Sequence, residues 1–285
     1  MGGLGNQLKT VVLLGALTGL MLWVGQLIGG ASGLTVALVI VLIMNLVMFW
    51  FADKIVLMMY QAKEVEKGSP LYNHVKEVAR KADLPMPRVY IIPSKNPNAF
   101  ATGRSPSHSA VACTEGILDL LDERELRAVL AHELSHIKNR DTLITTIAAT
   151  IAGVISYVAS MARWAAIFGG FGGRDDRDGG SSLIELLVLA ILTPLIATLL
   201  QLAISRSREF LADESGAKIV RDPKALADAL LKIEAGVKMH PMGMGNSTTA
   251  SLFITNPFKG NALLNLFSTH PSTKDRVAKL HSMKL

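Results

Sequence analysis

His132-Glu133-Leu134-Ser135-His136 is the stretch on which the reading of this 285-residue chain turns. It is a His-Glu-x-x-His pattern. On a helix, positions i and i+4 share a face, so both imidazoles can converge on one metal ion. Glu133, beside the first histidine, can reach a water at that metal and take its proton. Three fixed letters also occur by chance in proteins without metal, so the surroundings decide. Upstream, Asp122-Glu123-Arg124-Glu125 has the form of a capping box, with Asp122 as N-cap and Glu125 at N3. The helix it opens is expected to run through both histidines and straight into an apolar segment.

That segment is one of four. Val11 to Ile28, Leu34 to Phe51, Leu143 to Phe168 and Leu183 to Ile204 are apolar and almost free of charge. Each approaches or exceeds the roughly 18–20 residues a helix needs to cross about 30 Å of hydrocarbon. Half the residues are hydrophobic and mean hydropathy is positive, a membrane-protein balance. The first segment lacks a clear Ala-x-Ala site after it, which favours an uncleaved anchor over a signal peptide. Asn6 stands where N-myristoylation expects Ser or Thr, which argues against lipidation.

The linkers 29–33 and 169–182 carry almost no net positive charge; in the second, Arg174 and Arg177 are offset by Asp175, Asp176 and Asp178. The other flanks carry Lys9, Lys54, Lys63, Lys67, Lys138, Arg140, Arg206 and Arg208. The positive-inside rule then places both termini and both polar regions in the cytoplasm. The expected units are an N-terminal hairpin (1–52), a polar region with the His-Glu-x-x-His helix (53–142), a second hairpin (143–205) and a C-terminal polar region (206–285). The net charge of +6 is not clustered as a nucleic-acid footprint, so no nucleic-acid partner is expected. Cys113 is the single cysteine. It permits no intramolecular disulfide and reads as a small buried hydrophobe within the strand-like run Ala110 to Thr114.

The polar region reads as α+β. Leu71 to Lys81 has helical spacing, ended by Leu84-Pro85-Met86-Pro87. Val89 to Ile92, Ala110 to Thr114 and Ala99 to Thr102 read as short strands. The tail after Ser205 reads as mostly helical, with a loop over Lys238 to Gly260 rich in Gly, Pro, Asn, Ser and Thr.

A catalytic zinc needs three protein ligands and an open position. Glu209, in Ser205-Arg206-Ser207-Arg208-Glu209, is the best third candidate. It directly follows the fourth apolar segment, as the two histidines directly precede the third. Adjacent membrane helices would bring all three to one boundary. Asp213 lies one helical turn further on the same face and could accept the free N–H of a ligand histidine. Taken without the motif, Glu209 and Asp213 would be an ordinary charged helix end. His74, His108, His240 and His281 show no partner spacing.

The chain resembles the HtpX-type membrane zinc metalloproteases, within a larger group that includes the CAAX-prenyl endopeptidases. The resemblance covers nearly the whole chain. It rests on Asn98-Ala99-Phe100-Ala101-Thr102-Gly103, on Glu125 to Asn139 with Asp141, on Arg208-Glu209-Phe210-Leu211-Ala212-Asp213, and on Thr269-His270-Pro271-Ser272-Thr273 followed by Arg276. It implies an α+β integral membrane protein: four transmembrane helices and a mainly helical, gluzincin-type zinc protease domain with a small β-sheet. It implies zinc on His132, His136 and Glu209, Glu133 as general base and acid, and His270 and Arg276 near the site, where both could stabilise an oxyanion. It also implies misfolded membrane proteins as substrates, cut in quality control at the cytoplasmic face of a bacterial inner membrane. Because the family motif falls on Asn98, Ala99, Phe100, Ala101 and Thr102, this run is the expected edge strand for an extended substrate. Three other readings fit the residues less well. An intramembrane protease conflicts with Lys138 to Asp141, whose charges follow His136 at once. Prenyl-protein processing calls for more membrane segments. A non-catalytic membrane scaffold would hold a structural zinc through a fourth ligand, for which Cys113 and His270 lack supporting spacing.

Overall fold

The computed structural model describes residues 2–142, 206–242, 253–256 and 271–284; in much of the first helix it describes the backbone but not the side chains. That helix, α1 (Gly2–Met59), breaks at Gly29 and Gly30, the latter with φ +57°. The break falls inside the expected linker. A Cβ on Gly25 would lie 2.5 Å from the Ala37 Cβ, so glycine lets the two arms close on each other. Described apolar side chains of the second arm, among them Val36, Leu42, Ile43, Trp50 and Phe51, point outward and are exposed. Among the described residues no helix is long and apolar enough to cross a membrane. The third and fourth apolar segments, the loop 169–182 and His270 lie outside the described residues.

After β1 (Lys63–Glu64) comes α2 (Pro70–Lys81), capped by Ser69 and opened by Pro70, whose missing N–H costs nothing at that position. Strands β2 (Arg88–Ile92), β3 (Ala99–Ser105) and β4 (His108–Thr114) cover all three runs read as strands. Sheet order is β1-β2-β4-β3, with β2 parallel to β4 and the outer pairs antiparallel. β1 escaped the sequence reading because two residues carry no periodicity. A short helix, α3 (Glu115–Leu120), follows at once, capped by Thr114.

Side chains alternate across the sheet. Val89, Val111 and Cys113 face a core with α2 and the later helices. Tyr90, Ile92, Phe100, Ala110 and Ala112 face the end of α1. There Tyr60, Phe100 and Phe253 form an aromatic cluster with ring centroids 5.1–6.0 Å apart. The cluster ties α1 to the sheet and anchors the segment 253–256. Cys113 is fully buried, and burial pushes its thiol pKa up, as expected of a hydrophobe.

The motif helix α4 (Glu123–Lys138) opens with the full capping box of Asp122 and Glu125. It does not run straight on, as the sequence suggested. Asn139 caps it and Arg140 takes φ +59°, turning the chain before Asp141. Helical residues 206–220 (α5), α6 (Pro223–Met239) and α7 (Thr273–His281) complete the described part. α6 packs on both α4 and α7. The described architecture is mainly helical with a small mixed sheet.

Candidate metal centre

α4 is buried along most of its length, and His132, Glu133 and Ser135 sit inside the protein. The polar face of the motif therefore needs partners, and α5 supplies them. Glu209, Ala212, Asp213, Gly216 and Ala217 fall on one face of α5 by their spacing of three and four. A Cβ on Gly216 would lie 2.8 Å from the His132 nitrogen and 2.9 Å from its Cα. Only a residue without a side chain lets α5 approach the motif so closely. That contact places Glu209 over both histidines.

His132 Nε2 and His136 Nε2 are 3.2 Å apart. Glu209 carboxylate oxygens lie 3.6 Å from the first and 3.4 Å from the second. Tetrahedral zinc with donors at about 2.0–2.1 Å holds those donors about 3.3 Å apart. The three residues thus fit a zinc ion, and they form the group among the described residues that could hold a metal. The His₂Glu donor set is also one that catalytic zinc uses.

Each ring has a carboxylate at its other nitrogen. His132 Nδ1 is 3.0 Å from Asp213 Oδ1, close in distance but not aligned as a hydrogen bond. His136 Nδ1 is 3.2 Å from Asp141 Oδ2. Each carboxylate meets an arginine in turn. Arg276 grips Asp213 with two bonds, Nε to Oδ2 at 2.8 Å and Nη2 to Oδ1 at 2.6 Å. Arg208 Nε stands 3.4 Å from Asp141 Oδ1, and its Nη1 donates to the Asp141 carbonyl.

Arg276 is 2 % exposed, and its Nη1 donates to Ile254 O and lies 3.4 Å from Glu209. The resemblance implies that it lies near the site and could stabilise an oxyanion; its nitrogens meet Asp213, Ile254 and Glu209 beside the ligand cluster. Asp141 and Arg208 lie in the motifs, but their spacing points to no role at the metal centre, and nothing in the pattern singles out Gly216. The turn at Arg140 that returns Asp141 to His136 leaves no periodic signal.

Burial alone would lower the His132 pKa, but Asp213 and Glu209 carry it above its ordinary value. His136 is raised further against the same burial penalty, by Asp141 and Glu209. Burial pushes Glu133 up, Glu209 adds to this, and both histidines and Arg276 oppose it. A carboxyl raised in this way suits a proton acceptor working near neutral pH. Burial also works against the Asp213 carboxylate, yet Arg276 and His132 hold its pKa down to about 2.

The expected substrate run lies beside this centre. β3 is an edge strand and runs against α4. Ala99 O accepts from Ile254 N, and Gly103 O accepts from Thr142 Oγ1. Both carbonyls point away from β4, and strand alternation places the polar groups of Ala101 on the same side. Asn98 is buried and clamps the neighbouring segment, donating through Nδ2 to Thr255 O at 2.7 Å. Phe100 is committed to the aromatic cluster. The Thr102 hydroxyl is buried with no hydrogen-bond partner among the described residues.

A mixed sheet edged against a His-Glu-x-x-His helix, with a carboxylate from a second helix over both histidines, defines the metallopeptidase class. The model of Peptidase family M48 matches residues 67–284. A "Protease HtpX homolog" from Desulforapulum autotrophicum is 53% identical, over 97% of this chain and 90% of its own. One from Syntrophotalea carbinolica is 52% identical, over 98% of this chain and 99% of its own. One from Pyrococcus furiosus is 50% identical, over 99% and 98%. The chain therefore belongs to Peptidase family M48 and is a metallopeptidase. The crystal structure of S. mikatae Ste24p shares the fold, with a TM-score of 0.56 at 19% identity; the match takes in 97% of this chain and 66% of that one.

Proposed function

We infer that the chain is a membrane-anchored zinc endopeptidase that cuts misfolded or damaged membrane proteins at the cytoplasmic face of a bacterial inner membrane. The convergence of His132, His136 and Glu209 within 3.2–3.6 Å carries the chemical part of this reading. These three would hold zinc, with Asp213 and Asp141 orienting the rings. Bound there, zinc supplies Lewis-acid polarisation of the scissile carbonyl and makes a nearby water more acidic. Glu133 takes the proton from the attacking water and returns it to the leaving amine. His270, carried over from the family motif, is assigned to the oxyanion.

The substrate chain lies extended along β3 between Asn98 and Thr102 and is gripped through the backbone at Ala101. Such recognition reads few side chains, which suits substrates marked by unfolding and not by sequence. The membrane part of the reading rests on the four apolar segments and on α1. A helix whose second arm turns Val36, Leu42, Ile43 and Val47 outward needs an apolar surrounding, which lipid provides. The unit boundaries follow: hairpins at 1–52 and 143–205, and cytoplasmic regions at 53–142 and 206–285.

The test is metal content and cleavage of an unfolded casein in detergent, for wild type, Glu133→Ala and Glu209→Ala. One zinc with cleavage is expected in wild type, zinc without cleavage in Glu133→Ala, and impaired zinc binding in Glu209→Ala. Cleavage that survives Glu133→Ala would overturn the assignment.

A further inference from the structure

A cleft of about 460 Å³ opens where the end of α1 meets the β3–β4 hairpin. Trp50, Phe51 and Lys54 of α1 line one side; Arg104, Ser107 and His108 of the hairpin line another. Arg104 lies over the Trp50 ring, 4.5 Å from its centroid, and Lys54 Nζ is 5.7 Å from that of Phe51. The acidic residue of the cleft, Asp53, is held by Arg88. Among the described residues no carboxylate pairs with Arg104 or Lys54. At the hairpin tip the side chains of Ser105, Ser107 and His108 meet at 3.1–3.2 Å and stay exposed, adding polar groups beside the two cations.

The cleft thus has two chemistries. One wall is cationic with hydrogen-bonding groups. The other continues into the exposed apolar side of α1 through Phe51, Trp50 and Val47. A free phosphate would use only the first, and a neutral lipid mainly the second. Trp, Lys and Arg at the end of an apolar helix also match the residues that sit at headgroup level. We propose that this cleft binds the headgroup of an anionic phospholipid. The proposal rests on the reading of α1 as a membrane anchor. It gives the headgroup a mechanical consequence, because Arg104 sits on β3 next to Gly103, whose carbonyl Thr142 holds beside the substrate edge. Lipid bound at the hairpin would brace the strand that receives substrate.

The full chain in nonionic detergent is titrated by calorimetry with short-chain phosphatidylglycerol, with phosphatidylcholine of the same tails, and with inorganic phosphate. Phosphatidylglycerol should bind about 30-fold tighter than phosphatidylcholine, the effect of two cations near an anionic group. Lys54→Gln with Arg104→Gln should bring its affinity down to that of phosphatidylcholine. Ser107→Ala with His108→Ala, on the exposed tip, should cost about threefold and serves if the first pair fails to fold. Equal affinity for the two lipids, binding untouched by either pair, or displacement by phosphate at equal concentration would overturn the proposal. No peptide cleavage enters the readout. Failure here leaves the peptidase reading standing, and an inactive chain that still prefers phosphatidylglycerol leaves this one standing.

Discussion

The two histidines of α4 sit four residues apart, yet the supports behind them are built differently. His132 is fully buried, and Arg276 clamps the carboxylate behind it with two short bonds. His136 keeps 16% of its side chain exposed, and Arg208 stands 3.4 Å from its carboxylate. The first arm draws on three distant parts of the chain: α4, α5 and α7. The second is local on one side, since Asp141 lies five residues beyond His136 and returns through the turn at Arg140. One arm locks the fold while it orients a ring. The other orients a ring at an accessible rim.

The strongest test of this difference removes each carboxylate. Asp213→Ala leaves the Arg276 guanidinium buried without its main partner. Breaking a buried pair in this way costs about 3–5 kcal/mol. Asp141→Ala leaves Arg208 with its bond to the residue 141 carbonyl and should cost much less. Both changes remove an orienting partner from a ligand ring, so both should weaken zinc binding by about 10–100-fold. Thermal unfolding with a metal-competition assay separates the two effects. Equal loss of stability in the two variants would break the comparison.

Gly216 tests the joint between the helices. Gly216→Val places atoms within 3 Å of the His132 backbone and must push α5 off α4. Overpacking of this kind costs about 1–3 kcal/mol. Because Glu209 and Asp213 ride on the same face, zinc affinity should fall as well. Unchanged zinc binding in a stable Gly216→Val protein would show that the close approach does not set the ligand geometry.

Much of this was open to reading in the sequence, and the remainder had physical reasons to be hidden. The capping box, the histidine spacing and the short strand-like runs of β2, β3 and β4 are local patterns, and each left its mark on neighbouring residues. Glu209 could be found because a helix follows an apolar segment, just as the histidines precede one. Asp141 could not be paired with His136, because the pairing depends on one backbone angle at Arg140. Arg276 was placed near the centre by resemblance, but its direction depends on Ile254 and Asp213, which meet it only in the folded chain. Ile254 and Gly216 act through backbone approach, which composition does not encode.

The charge state sharpens the comparison between the arms. Against burial, their carboxylate partners raise both histidine pKa values, His136 more strongly. A raised histidine stabilises the fold fully below its ordinary pKa of about 6.5, and that stabilisation is lost as pH rises through the higher folded value. Zinc needs the neutral rings, so protons compete with it from below. The drop in thermal midpoint caused by a chelator should therefore widen as pH rises from about 6 to 8.5. A drop that narrows would contradict the assigned carboxylate partners. Asp213 behaves oppositely. Its depressed pKa, about 2, means that its contribution is present above about pH 4 and fades as pH falls towards 2.

The finest test exchanges each arginine for lysine, with the smallest effect expected at Arg208. Lysine keeps the charge of arginine but not its planar fork. At Arg276 the fork matters, because Nε and Nη2 reach both oxygens of Asp213 while Nη1 holds Ile254 O. Arg276→Lys should lose at least one of these charge-assisted bonds, at about 1.5–3 kcal/mol each. At Arg208 the contact to the Asp141 carboxylate is longer, at 3.4 Å, and the carbonyl bond is 3.3 Å. Arg208→Lys should therefore cost about 1 kcal/mol or less. It should leave zinc affinity nearly intact, because Asp141 still faces His136. Melting curves of the two lysine variants, read with zinc titrations, rank the arms directly. If Arg208→Lys proved as costly as Arg276→Lys, the second arm would be as much a lock as the first. The accessible rim at His136 would then owe its form to something other than a looser support.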